Sequence, residues 1–140
     1  MDRDLLTLAR LARVLERACT DLTLAQYRLL AMIADGAERA SELAGQLALT
    51  KPTVSATIDT LVERGLVERE PVDDDRRAIR LTATDAGRAA LRCCEASMRD
   101  RLDDVFARVD DPAAVHHSLA QLRAALDERR AERRAERARP

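Results

Sequence analysis

Between Thr50 and Thr82 the chain reads TKPTVSATIDTLVERGLVEREPVDDDRRAIRLT, and one glycine separates two kinds of periodicity. Before Gly65, Val54, Ile58, Leu61 and Val62 share one side of a 3.6-residue wheel, the pattern of a helix with one apolar face. Pro52, Thr53, Ala56, Asp59 and Thr60 take the opposite side, with Ser55 at the flank. Thr50 is placed to cap this helix, and Pro52 stands in its first turn, where a missing N–H costs little. Gly65 ends the helix, because glycine takes positive φ without a steric penalty. Residues 66–70 then read as a strand, followed by Pro71 and the charged run Asp73-Asp74-Asp75-Arg76-Arg77. In residues 78–82, Ile79 and Leu81 alternate with Arg80, as in a half-buried strand. Two strands around a charged loop make a hairpin.

The flanks are helical. Leu5, Leu8, Leu11 and Leu15 recur at helical spacing and predict an amphipathic helix over residues 3–19, with Cys19 one turn further on the same face. Thr23 and Gln26 have the spacing of a capping box, and Asp35-Gly36 closes the helix they start. Ser41 is expected to cap a short helix, SELAGQLAL, with Leu43, Ala44 and Leu47 as its apolar face. Thr82, with Asp85 three residues on, is expected to start a long helix reaching about residue 108. Asp111-Pro112 opens the last one, whose stripe is Val115, Leu119, Leu122 and Leu126. The tail DERRAERRAERARP reads as a fraying, solvated end, or as an arm that crosses a partner or touches flanking phosphates.

Composition narrows the functional classes. The 140 residues suit one mainly helical domain, 46% hydrophobic and 35% charged, neither disordered nor secreted. No apolar run is long enough to span a bilayer, and MDRDLLTLAR lacks a leader's apolar centre, so the expectation is a cytoplasmic protein. Net charge is −1, so a nucleic-acid surface has to come from the placement of a few arginines. From Lys51 to Arg80 there are six basic and seven acidic residues, which predicts low, salt-sensitive non-specific affinity. Cys19, Cys93 and Cys94 are an odd set without a C-x-x-C pair, which argues against a disulfide framework and a zinc site. Cys19 and Cys94 read as core residues and Cys93 as a half-exposed neighbour. Adjacent residues on a helix diverge by about 100°, so His116-His117 does not chelate a metal. No phosphate loop, nucleophile elbow or histidine–carboxylate metal motif is present, so no catalytic residue, metal or cofactor is expected.

Helices over residues 41–49 and 50–64, joined by almost no linker, form a helix-turn-helix, and the hairpin supplies its wing. A helix with a small, polar outer face fits a major groove about 12 Å wide. A wing arginine reaches the minor groove, and a neighbouring aspartate fixes it by a charge-assisted hydrogen bond. The fold class is therefore mainly α with a small β-hairpin, a winged helix-turn-helix flanked by terminal helices. Residues 23–84 are expected to form the DNA-binding lobe, between helical regions over 1–22 and 85–140.

The phrase KPTVSATIDTLVERGLVER, the tip DDRR and the closing RLTATDAG resemble the MarR (multiple antibiotic resistance regulator) family over essentially the whole chain. The resemblance implies a homodimeric transcription regulator, a repressor that leaves a pseudo-palindromic double-stranded operator when a small, often aromatic or phenolic acid binds. It implies a DNA-contacting set of Ser41, Thr50, Lys51, Pro52, Thr53, Ser55, Ala56, Thr60 and Arg69, with Asp75, Arg76 and Arg77 at the wing. Arg77 matches the minor-groove arginine, Asp75 its brace, and Asp59 and Gly65 also match the family pattern. The dimer would form through Leu5, Leu8, Leu11 and Leu15 with Val115, Leu119, Leu122 and Leu126. Many relatives carry an arginine where this chain has Ala56. An alanine makes no bidentate guanine contact, so groove shape should carry more of the specificity. The expected site is A·T-rich, with half-sites roughly 10 bp apart. Two alternatives stand beside this reading: a thiol-based redox sensor using Cys19, and a winged-helix module that binds protein.

Overall fold

The computed structural model describes residues 2–36, 40–47, 49–72 and 75–137, with side chains at all of these except 41, 42, 72, 75–78, 134 and 137. The element order is α1 (Arg3–Ala18), α2 (Leu24–Ala34), α3 (Ala40–Leu47), α4 (Lys51–Glu63), β1 (Val67–Val72), β2 (Asp75–Ala83), α5 (Asp85–Phe106) and α6 (Pro112–Arg137). These form two compact units, residues 1–102 and 103–140. Among the described residues no helix is long and apolar enough to cross a membrane.

Local chemistry accounts for most of the boundaries. Asp2 caps α1, its carboxylate accepting from the Asp4 amide at 3.0 Å. Thr23 and Gln26 form the reciprocal capping box on α2, which ends at Gly36 with φ 97°. Thr50 caps α4, and Gly65, at φ 68°, turns the chain into β1. The Asp111 carboxylate accepts from the Ala114 amide at 3.0 Å and starts α6.

Three boundaries differ from expectation. Ser41 is not the cap of α3, because the helix already includes Ala40; alanine is the strongest helix former and carries the turn one residue back. Both strands run further than the sequence suggests: Pro71 and Val72 belong to β1, while residues 75–77 belong to β2. The long helix starts at Asp85, not near Thr82. Ala83 is buried and paired with Val67, so β2 holds the chain through that point and Thr84 takes over as cap.

The core of the first unit joins all of its elements. Leu29, Leu30, Leu43, Val54 and Leu61 are fully buried, and Leu22, Ile58, Leu66, Val67, Leu81, Leu91 and Met98 close around them. The hairpin is antiparallel, with Val67 opposite Ala83 and Arg69 opposite Leu81, and its register shifts between Pro71 and Val72. Leu81 is buried at the hairpin base, but Ile79, two residues outward on the same strand, is 53% exposed. The expected half-buried face therefore ends at Leu81. In the second unit Phe106 is buried and meets the His116 ring edge-on, with centroids 5.2 Å apart. The tail is helical as far as Arg137.

The cysteines overturn the expectation of three separate thiols. Cys19 and Cys94 are bonded, 75 residues apart in sequence, and Cys93 is free and exposed. An odd count excludes full pairing, but it says nothing about one pair brought together by tertiary packing.

Candidate nucleic-acid interface

The recognition helix is fixed from beneath and small on top. Val54, Ile58 and Leu61 anchor α4 in the core with at most 1% exposure. Burying a side chain of this size contributes about 1.5–3 kcal/mol, enough to hold the helix at one rotation. Lys51, Pro52, Thr53, Ser55, Ala56 and Asp59 consequently face outward, and Thr60 is half-buried at the edge.

The outer threonines are ordered by their own helix. The Thr53 amide donates to the Thr50 hydroxyl at 3.4 Å, and the two hydroxyls share a hydrogen bond of 2.8 Å. Thr57 donates to the Thr53 carbonyl at 2.9 Å and Thr60 to the Ala56 carbonyl at 3.1 Å. Each of the latter two hydroxyls keeps acceptor capacity while its rotamer is set. With Ala56 at its centre the face is shallow there and presents methyls and acceptors, with the cationic Lys51 at its N-terminal end.

The wing is held at its base by contacts that no sequence pattern singled out. Arg69 of β1 donates to Asp59 of α4 at 2.5 Å, with the two side chains 41% and 52% exposed. Such an exposed pair contributes up to about 1 kcal/mol, so its main effect is geometric. It ties strand to helix across ten residues of sequence. Arg69, a DNA-contact candidate, is therefore engaged with Asp59. Asp59 is legible on the wheel as an outward residue, whereas its partner lies across a turn the wheel does not describe.

Thr84 makes the second tie. Its amide donates to the Leu66 carbonyl at 3.1 Å and its hydroxyl to the Gly65 carbonyl at 2.7 Å. The same hydroxyl accepts from the Gly87 amide at 2.9 Å. A Cβ placed on Gly87 would lie 2.1 Å from the Leu66 carbonyl oxygen, so the first turn of α5 rests directly on the chain leaving the recognition helix. Threonine at 84 and glycine at 87 thus join helix, wing and α5 at one node.

The backbone of Asp75, Arg76 and Arg77 belongs to β2, and their side chains, like that of Ser41, lie outside the described residues. Tyr27 of α2 donates to the Glu95 carboxylate of α5 at 3.4 Å. Burial, with the charge and hydrogen bond of Glu95 adding to it, raises its hydroxyl above the ordinary 10.0.

A small-faced helix against a braced hairpin is the geometry of a winged helix, and residues 20–78 match the model of the MarR family. The likeness over that stretch is to the MarR-family winged helix. Similar solved structures extend over most of its length. One is wild-type MarR of E. coli in its apo form, at 24% identity and TM-score 0.75, covering 84% of this chain and 90% of that one. A second is the transcriptional repressor CouR bound to a 23-mer DNA duplex, at 26% identity and TM-score 0.73, covering 85% and 86%. A third is a Mycobacterium tuberculosis MarR family protein in complex with p-aminosalicylic acid, at 24% identity and TM-score 0.68, covering 84% and 91%. No curated protein matches the chain significantly.

Proposed function

We propose that this MarR-family chain is a sequence-specific DNA-binding transcriptional regulator, a dimeric repressor released from its operator by a small molecule. The observation that carries the reading is the outer face of α4, small and polar from Pro52 to Asp59 and tied to the wing through Arg69. Such a face enters a major groove while the wing approaches the minor groove beside it. The likeness to CouR on its DNA duplex supports the same placement.

In this reading residues 1–140 act as one domain, with residues 23–84 as the reading lobe and the flanking helices as the dimer region. Thr50, Lys51, Pro52, Thr53, Ser55, Ala56 and Thr60 meet the major groove or its phosphates, with Ser41 and Arg69 beside them. Arg76 and Arg77 reach the minor groove, braced by Asp75. Dimerisation is supported by apolar side chains left exposed on the terminal helices: Leu5 at 65%, Leu8 at 55%, Leu122 at 53% and Leu126 at 61%. An exposed apolar stripe on a helix marks an interaction site. Leu11, Leu15 and Val115 are half-buried and continue the stripes inward.

An open cleft of about 500 Å³, lined by Glu16, Cys19, Asp21, Leu22, Leu24 and their neighbours, is large enough for an aromatic effector. Glu16 and Asp21 favour a neutral phenol over a carboxylate there. A ligand that prefers a dimer with mismatched half-site spacing releases the operator.

Selection of binding sites from random DNA tests the reading. The expected product is an A·T-rich pseudo-palindrome with half-sites roughly 10 bp apart. In the same assay Arg77→Ala is expected to weaken binding by on the order of 1–3 kcal/mol. Failure to enrich any sequence would leave the protein-binding alternative in its place.

A further inference from the structure

The last stretch of α6 repeats a four-residue unit, ERRA from Glu128 and again from Glu132, with Glu136-Arg137 opening a third. At about 100° per residue, a four-residue repeat keeps each residue type in its own row. Positions 129, 130, 133, 134 and 137, all arginine, fall within an arc of about 140°. Glu128, Glu132 and Glu136 fill an arc of about 80° beside it. From Arg129 to Arg139 there are six arginines and two glutamates, the most basic stretch of that length in the chain. Arg129, Arg130 and Arg133 are exposed, and among the described residues none of the three is in an ion pair.

A helix end that is merely solvated is best served by mixed rows. Glutamate four residues before arginine stabilises an exposed helix, and like charges at that spacing weaken it. Here the four-residue steps join like to like, Glu128 to Glu132 and Arg129 to Arg133. The helix forgoes pairing along itself and gathers positive charge on one side, which suits an extended anion. A bilayer surface fits poorly, because the opposite side carries alanine and glutamate and no large apolar residue. Duplex DNA carries a negative charge for about every 1.7 Å of its axis, so the roughly 12 Å of helix from 129 to 137 faces about seven phosphates. Arginine holds a phosphate through two parallel hydrogen bonds. The stretch from Lys51 to Arg80, with six basic and seven acidic residues, offers no such surplus.

We infer that the arginine arc at the end of α6 is a second DNA-binding surface, one that holds the phosphate backbone of a duplex without reading its sequence. The inference rests on the regulator reading for its duplex and adds a sequence-independent contact to the reading lobe. Arginine–phosphate contacts release counterions, so they strengthen binding to selected and random DNA alike and weaken together as salt rises. The glutamate row sets the side from which the helix approaches, since turning it would bring carboxylates against phosphates.

The test compares full-length wild type with a triple variant, Arg129→Gln, Arg130→Gln and Arg133→Gln, glutamine being a comparably good helix former. Affinity for the selected operator and for a random duplex of equal length is measured from about 50 to 200 mM salt. Dimer association is followed by sedimentation in the same buffers. The variant is expected to lose affinity for both duplexes by the same factor, about tenfold or more at the lower salt. Its plot of log affinity against log salt should be shallower by about 3 for each engaged tail. Glu128→Gln, Glu132→Gln and Glu136→Gln together should raise both affinities. A slope and a random-duplex affinity equal to wild type overturn the inference, and so does a loss confined to the selected sequence. Weaker dimer association with an unchanged slope also overturns it and gives the arginines to a second copy, since Leu119, Leu122 and Leu126 lie in the same arc earlier on the helix. Should wild type bind selected and random duplexes equally, the regulator reading fails, while the slope of the variant still decides the tail.

Discussion

The lobe from α2 to β2 and the last helix use similar residues to opposite ends. Leu29, Leu30, Leu43, Val54 and Leu61 of the lobe lose all contact with solvent. Along α6 only Val115 is even half-buried among the described residues, and Leu119, Leu122 and Leu126 are 39%, 53% and 61% exposed. The lobe has its own core and holds its shape within one chain. The α6 stripe has the periodicity of a packed face without the packing, so its leucines are available to a second chain. Substitutions in the two regions should therefore be read out by different experiments.

The largest effect is expected inside the lobe. Ile58→Ala removes buried methyls beneath the recognition helix and should cost about 2–5 kcal/mol in chemical denaturation. Leu122→Ala should leave the unfolding of the lobe unchanged but lower dimer association about a hundredfold by sedimentation, since a two-fold interface loses the side chain twice at roughly 1.5 kcal/mol each. Equal destabilisation of the lobe by both changes would erase the contrast between the regions. Thr84→Ala, which removes the cap of α5 and the bond to Gly65, should cost about 1–2 kcal/mol in denaturation. It should also weaken operator binding, whereas Thr84→Ser should restore both.

The smallest effect concerns Tyr27, which joins α2 to α5. Its hydroxyl titrates above 10.0 in the folded protein, so the folded state holds the proton more tightly than the unfolded chain does. The stabilising contribution is whole below pH 10, the unfolded value, and is lost as pH rises through the folded one. Tyr27→Phe should flatten that alkaline fall in thermal denaturation profiles taken between neutral pH and pH 11.

What the sequence reveals about this fold is what near neighbours decide. Thr23, Thr50 and Asp111 cap helices within three residues of themselves, and Gly65 turns the chain on its own backbone. The wheel separates the buried and outer faces of α4 because one apolar stripe determines both. The same spacing favours Thr82, which has Asp85 three residues on, over Thr84, which has only Gly87 there. The pairing of Ala83 with Val67 decides between them, and it depends on the hairpin. Asp59 with Arg69 and Cys19 with Cys94 are contacts across tertiary structure, ten and 75 residues apart. Ile79 fails for a related reason: alternation tells which face a residue is on, not how far along the strand the core extends.

The missing side chain at Gly87 gives the long fifth helix a pivot close to the recognition helix. At 1.5 Å per residue the stretch of α5 from Gly87 to Leu102 spans roughly 22 Å. A tilt of about 5° around the contact with the Leu66 carbonyl would sweep Leu102 through roughly 2 Å. Shifts too small to alter any hydrogen bond at the node are thus magnified along the shaft, and motion imposed at the distal end returns to the node reduced in the same ratio.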